Sequence, residues 1–135
     1  SSLGGGAYSA GRYVRSEVCA MCGVSAAQLT ELESFGLVSG RGSGADTSYS
    51  EQELAIVQAA AGFLSRGIDV RHLRTWKQAA ERETALFEQR VLPLLRQRNP
   101  QARHDAQGLL QELADLGGQL RSAMVAAALR QHLDG

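Results

Sequence analysis

The last third of the chain carries an apolar stripe that few folds can accommodate: Leu109, Leu113, Leu116, Leu120, Ala123 and Ala127 recur at intervals of four, three, four, three and four residues. An α-helix returns to the same face about every 3.6 residues, so these six side chains line one seam of a single long helix. The seam is narrower than the apolar face of a globular core helix and matches the a/d seam of a coiled coil. Asn99-Pro100 places its start, with Asn as cap and proline at the first helical position, where a missing N–H costs nothing. The helix is expected to run to about Leu133. Gly117-Gly118 weakens it by about 1 kcal/mol each relative to alanine, which implies a close helix approach or a bend. Such a stripe packs against the preceding helix as an antiparallel hairpin, against a second copy of the chain, or both. Leu116 and Leu120, beside the glycine pair, are the expected central contacts.

The preceding helix begins after Asp69 and carries Leu73, Trp76, Ala80, Phe87, Val91 and Leu94 at a broken three-four spacing. Pro93 is expected to kink or end it, because the ring removes a donor and clashes with the turn before. Shorter elements come first. Ser16 is the expected cap of a helix through Cys22, Gly23 ends it, and Ser25 caps a second helix with Leu29, Leu32 and Phe35 at helical spacing. Two short helices joined by a glycine turn make a helix-turn-helix. Gly36 is placed as a left-handed terminator, and the Gly, Ser and Asp of 39–48, closed by Tyr49, read as a small wing. Ser50-Glu51-Gln52-Glu53 is a capping box that opens a helix to about Arg66-Gly67, with Leu54, Val57, Ala61 and Leu64 on its core face. The expected core is Val18, Val24, Leu29, Leu32, Phe35, Leu37, Leu54, Val57, Leu64, Ile68, Leu73 and Trp76. The fold class is therefore mainly α: a winged helix-turn-helix with a small β wing, followed by long coiled-coil-like helices. Residues 1–12 have linker composition and read as the end of a tether, 13–78 as the winged module, and 79–135 as a helical hairpin or dimerisation region.

Composition removes whole classes of function. No run approaches the 18 or so apolar residues of a membrane span, and the start lacks the apolar core of a secretory signal, so a cytoplasmic address is the default. With 14 basic and 14 acidic residues the chain has no net positive field, and any DNA contact has to be argued locally. Cys19 and Cys22 form a C-x-x-C, but His72, His104 and His132 are scattered singly and complete no zinc site, so no metal and no cofactor are expected. The two cysteines read as neighbours on a short helix, at least one packed as a small hydrophobe. No nucleophile has a neighbouring base, and Gly40-Arg41-Gly42-Ser43-Gly44 lacks the Lys-Ser/Thr ending of a phosphate loop, so the chain is not expected to be an enzyme.

Taken together, Tyr13 to Val18, Gly23-Val24-Ser25, Leu29, Glu33, Phe35-Gly36-Leu37, Tyr49 to Leu54, Gly67-Ile68 and Leu73 resemble the DNA-binding domain of MerR-family bacterial regulators over about half of the chain. The phrase Gly67 to Arg74, then Ala79 to Arg82, Pro93-Leu94 and a long final helix, is similar to the divergent C-terminal half of the FtsR-type actinobacterial regulators associated with cell-division genes. That resemblance implies a first, DNA-reading domain upstream. The resemblance to the DNA-binding MerR domain implies that the second helix should present two arginines and an aromatic pair to the duplex. Here those positions hold Ala27, Thr30, Glu31 and Leu32, and Asp46, Thr47 and Ser48 replace the wing's aromatic and basic residues.

Two functions follow. In the first, the chain is a regulatory domain, effector-sensing or dimerising, of a homodimeric regulator that reaches DNA through an attached domain. In the second it is a DNA-binding module in its own right, favoured by Arg66, Arg71, Arg74, Lys77, Arg82, Arg90, Arg96, Arg98 and Arg103 against Asp69, Glu81, Glu83 and Glu88 over 66–103, nine minus four or five surplus positive charges. Many of these belong to solvated helix faces and ion pairs. Arg71, Arg74 and Arg82 can nonetheless share a helix face and are the candidate contacts for an anionic small-molecule effector.

Overall fold

The computed structural model describes residues 11–134, and the linker expected over 1–12 lies almost wholly outside them. Among the described residues the protein is mainly helical, as the periodicity implied: five α-helices and one two-stranded sheet, with two compact units divided between Gln78 and Ala79. No helix among the described residues is long and apolar enough to cross a membrane.

In the first unit, β1 (Tyr13–Val14) pairs antiparallel with β2 (Ser48–Tyr49), Tyr13 opposite Tyr49. A bridge between Arg41 and Ser48, with N–H···O distances of 2.8 and 2.9 Å, closes the wing behind them. Helix α1 (Arg15–Cys22) follows β1 directly, so the cap is Val14 and not Ser16. The strand holds Val14 extended, and its N–H donates to the Glu17 carboxylate at 2.9 Å, leaving Ser16 inside the first turn. Gly23 ends the helix at φ 69°. Helix α2 (Ala26–Ser34) opens on a reciprocal cap: Gln28 N–H donates to the Ser25 hydroxyl at 3.0 Å, and Ser25 N–H to the Gln28 side chain at 2.9 Å. Helix α3 (Glu51–Ser65) repeats the device with Ser50 and Glu53. Helix α4 (Val70–Leu95) starts behind Asp69, whose carboxylate accepts from Arg71 N–H at 3.2 Å.

The core of this unit gathers Val18, Leu29, Leu32, Tyr49 and Val57, all fully buried, with Val24, Val38, Leu54, Ala60, Val70 and Leu73 around them. Phe35, Leu37 and Leu64 sit at its rim. Ile68 and Trp76, expected inside, are outside it: Trp76 is 49% exposed and covers Phe63 with ring centroids 4.8 Å apart. Val70 and Leu73 set the inward line of α4, and each further step of three residues rotates the helix by about 60°, carrying Trp76 to the rim.

In the second unit, α4 returns as α5 (Pro100–Asp134). Pro93 does not end α4; the helix passes through it to Leu95. Its missing N–H costs the helix one ladder bond, the one to the Gln89 carbonyl, and only two residues follow it in the helix. Arg98 then takes a left-handed φ of 54°, and the Asn99 side chain accepts from Ala102 N–H at 2.7 Å to start α5. Val91, Ala102 and Ala106 are the buried residues. At Gly117 an added Cβ would stand 2.6 Å from Glu83 Oε1 and 3.5 Å from the Phe87 ring. Glu83 also pairs with Arg121. The two pairings, 83 with 121 and 87 with 117, run in opposite directions along the helices and define an antiparallel hairpin. Gly118 meets nothing, so the close approach is the work of Gly117 alone.

Candidate functional site

The helix-turn-helix face is built around an arginine that is already occupied. Arg15, first residue of α1, donates through Nη1 to Glu33 Oε1 at 2.8 Å and to the Tyr49 hydroxyl at 2.9 Å. Through Nη2 it donates to the Ala26 carbonyl at 3.1 Å and to the Thr30 hydroxyl. The Tyr49 hydroxyl in turn donates to Glu33 Oε2 at 2.5 Å. The pairing with Glu33 raises the Arg15 pKa above its ordinary value. Burial, helped by the Glu33 carboxylate, pushes the Tyr49 phenol up to about 12. The network ties α1, α2 and β2 into one block and neutralises a cation that sits at the mouth of the motif.

What α2 and the wing leave for a duplex is poor in cations. From Ala26 to Tyr49 the only one is Arg41, against Glu31, Glu33 and Asp46. Ala27 and Glu31 are exposed, and Thr30 is tied to Arg15. Leu32 is fully buried and is no part of the outward face. Between α1, the start of α2 and the 3-10 turn Gly44–Asp46 lies an open concavity of about 700 Å³ lined by Ser16, Cys19, Ala20, Val24, Ala26 and Ala45 among others. Its lining is mostly small and apolar, and its side-chain donors to a phosphate oxygen come from Ser16 and from Arg15, which is already engaged.

Cys19 and Cys22 are free thiols packed partly against the core, with Cys22 Sγ 3.8 Å from the Leu54 carbonyl. Burial, and then the neighbouring Cys19, raise the Cys22 pKa, so that thiol is held protonated and poorly nucleophilic. No cluster of three potential metal ligands occurs among the described residues.

The candidate effector contacts are exposed. Arg71 and Arg74 belong to the first unit and Arg82 to the second, and Arg71 lies 3.9 Å from the Asp69 carboxylate.

The seam divides. Leu109 and Leu113 are half-buried, whereas Leu116 is 57% and Leu120 62% exposed, with Ala123 and Ala127 also exposed. At about 100° per residue, Ala102, Ala106, Leu113, Gly117 and Arg121 form the face of α5 turned to α4, and the seam is centred some 60° around the helix from it. The seam's outer half is therefore a flank of the hairpin. Continuing the 83–121 register puts exposed Leu86 of α4 level with the Leu116–Leu120 turn, on the same flank. Sequence periodicity missed Leu86 because it lies off the inward line of its own helix. It also missed the Arg15–Glu33–Tyr49 network, whose only signal was that all three positions belonged to the family-like pattern.

The family model of the Rv1828-like C-terminal domain matches residues 11–133. Among individual proteins, the chain is similar to two HTH-type transcriptional regulators, Rv1828 of Mycobacterium tuberculosis and Mb1859 of Mycobacterium bovis. Each is 32% identical over 85 residues, which cover 63% of this chain and 34% of the relative. The chain thus spans about a third of the length of the curated relatives it matches. Because the match takes in both the helix-turn-helix unit and the hairpin, the chain belongs to the Rv1828-like C-terminal domain family.

Proposed function

We propose that this chain is the pairing and regulatory domain of a MerR-like, FtsR-type transcription regulator, which works in the cytoplasm as a homodimer and reads DNA through an attached domain. It has no catalytic role on this reading. The observation that carries it is the flank of Leu86, Leu116 and Leu120: large apolar side chains, each more than half exposed in one chain, aligned on one side of a hairpin. A second copy would cover them, and two-fold pairing gives an attached reader the fixed spacing that paired half-sites require. The occupied Arg15 and the cation-poor α2 and wing support the division of labour, since most non-specific affinity for DNA comes from neutralised phosphates.

Light scattering on the purified chain, with fluorescence anisotropy against labelled duplexes, tests both halves. The expected result is a mass of two chains, and duplex affinity no tighter than the 10⁻⁴ to 10⁻⁶ M that is roughly typical of non-specific binding near physiological salt. A monomer at high concentration removes the pairing role. Sequence-specific nanomolar binding by the chain alone makes it a DNA reader in its own right.

A further inference from the structure

We infer that the tip of the hairpin in the second unit is a binding site for a compact phosphate-bearing anion, a di- or polyphosphate either free or carried on a nucleotide. This site is separate from Arg71, Arg74 and Arg82 and does not depend on the pairing role. Between residues 89 and 104 the chain has Arg90, Arg96, Arg98 and Arg103 and no Asp or Glu. The turn from α4 to α5 folds part of that charge around one concavity of about 530 Å³, lined by Leu95, Arg98, Asn99, Pro100 and Arg103, with Arg96 on the same turn. That size lies within the range of small-molecule sites, roughly 300 to 1,000 Å³.

The arginines are available. Neither a hydrogen bond nor an ion pair engages the side chain of Arg96, Arg98 or Arg103 among the described residues, whereas Arg15, Arg71, Arg121 and Arg130 each have a carboxylate within 4.0 Å. The nearby Asp105 accepts instead from the Gln101 side chain at 2.8 Å. A purely structural role, in which these cations close off the end of α4, is weakened by the backbone: the amides of Arg96, Gln97 and Arg98 already bond the carbonyls of Leu92, Leu94 and Leu95. Nor do the amides of the α5 terminus make the site. Pro100 has no N–H, and those of Ala102 and Arg103 are given to Asn99, which leaves at most the single amide of Gln101. Recognition falls to the guanidinium groups, whose planar forks bind phosphate oxygens in pairs. Two such groups on the wall of one dent and a third beside it suit linked phosphates in a small ligand better than an extended duplex backbone, and Leu95 and Pro100 add an apolar wall.

The test is calorimetric titration of the chain with inorganic tripolyphosphate and with ATP at low ionic strength, repeated on two variants of equal charge. In one, Arg96→Gln, Arg98→Gly and Arg103→Gln remove the tip; in the other, the exposed Arg41, Arg66 and Arg130 are each changed to Gln. Saturable binding of one ligand per chain is expected, weakened at least tenfold in the tip variant and within about twofold of the parent in the other, with helicity by circular dichroism unchanged in both. ATP binding tighter than tripolyphosphate assigns a nucleotide, and equal affinities assign the phosphate chain alone. The inference is overturned by the absence of saturable binding or by equal losses in the two variants. It is also overturned by a duplex that binds more tightly than tripolyphosphate and depends on the same three arginines, which would assign the tip to the DNA backbone.

Discussion

Tyr49 shows how a single side chain can join the wing to the helices. Its ring is fully buried and its hydroxyl bridges Glu33 and Arg15, so Tyr49→Phe keeps the packing and removes only the charged hydrogen bonds. Bonds to charged groups are worth about 1.5–3 kcal/mol, and chemical denaturation should show a loss of about that size. The raised phenol also sets a pH dependence. Folding favours the neutral form, so its contribution is complete below the ordinary phenol pKa of 10.0 and is lost as pH climbs through about 12. A spectrophotometric titration should find one of the three tyrosines ionising only near the top of that window, together with a fall in melting temperature that Tyr49→Phe lacks. Sequence pattern placed Tyr49 at the close of the wing but not in the core, because a two-residue strand has too short an alternation to say which face is buried. Gly40 belongs to the same packing: an added Cβ would lie 2.2 Å from Thr47 Cγ2 and 3.0 Å from the Tyr49 ring.

Helix boundaries were legible wherever a side chain makes the cap, as at Ser25, Ser50, Asp69 and Asn99. They were misread where tertiary pairing decides, as at Val14, which the sheet rather than a hydroxyl holds extended. The glycine pair of α5 separates the two kinds of information again. Sequence alone treats Gly117 and Gly118 alike, yet only Gly117 faces another helix. Gly118→Ala should stabilise the chain by about 0.5–1 kcal/mol through helix propensity alone. Gly117→Ala gains the same propensity but must displace the Glu83 carboxylate and disturb its pair with Arg121, so the two effects offset and the net change should be near zero or unfavourable. Thermal melts of the two variants side by side check this, and equal stabilisation would mean that the hairpin does not close at Gly117.

For the whole molecule, zero net charge supplies no general attraction for phosphates, and Arg15, engaged by Glu33, adds no free cation at the mouth of the motif. What periodicity left open was which partner the α5 seam serves, because a helix-spaced stripe looks the same whether it faces its own hairpin or another chain. The exposures divide the work: Leu109 and Leu113 are partly covered within the chain, Leu116 and Leu120 are not. That division makes the double substitution Leu116→Glu/Leu120→Glu informative. Burying a leucine contributes roughly 1.5–3 kcal/mol, so two per chain, doubled by symmetry, amount to about 6–12 kcal/mol of association free energy at most. Replacing them by four carboxylates across a two-fold axis should abolish pairing outright. Since both side chains are more than half exposed in the single chain, the variant should keep its helicity and melt as a folded monomer. Leu86→Glu, on the other helix of the same flank, should weaken pairing in the same direction without touching the seam. Circular dichroism and light scattering read the two effects separately: helicity lost with the double substitution would place both leucines in the chain's own core, and an unchanged dimer mass would place the interface on another face.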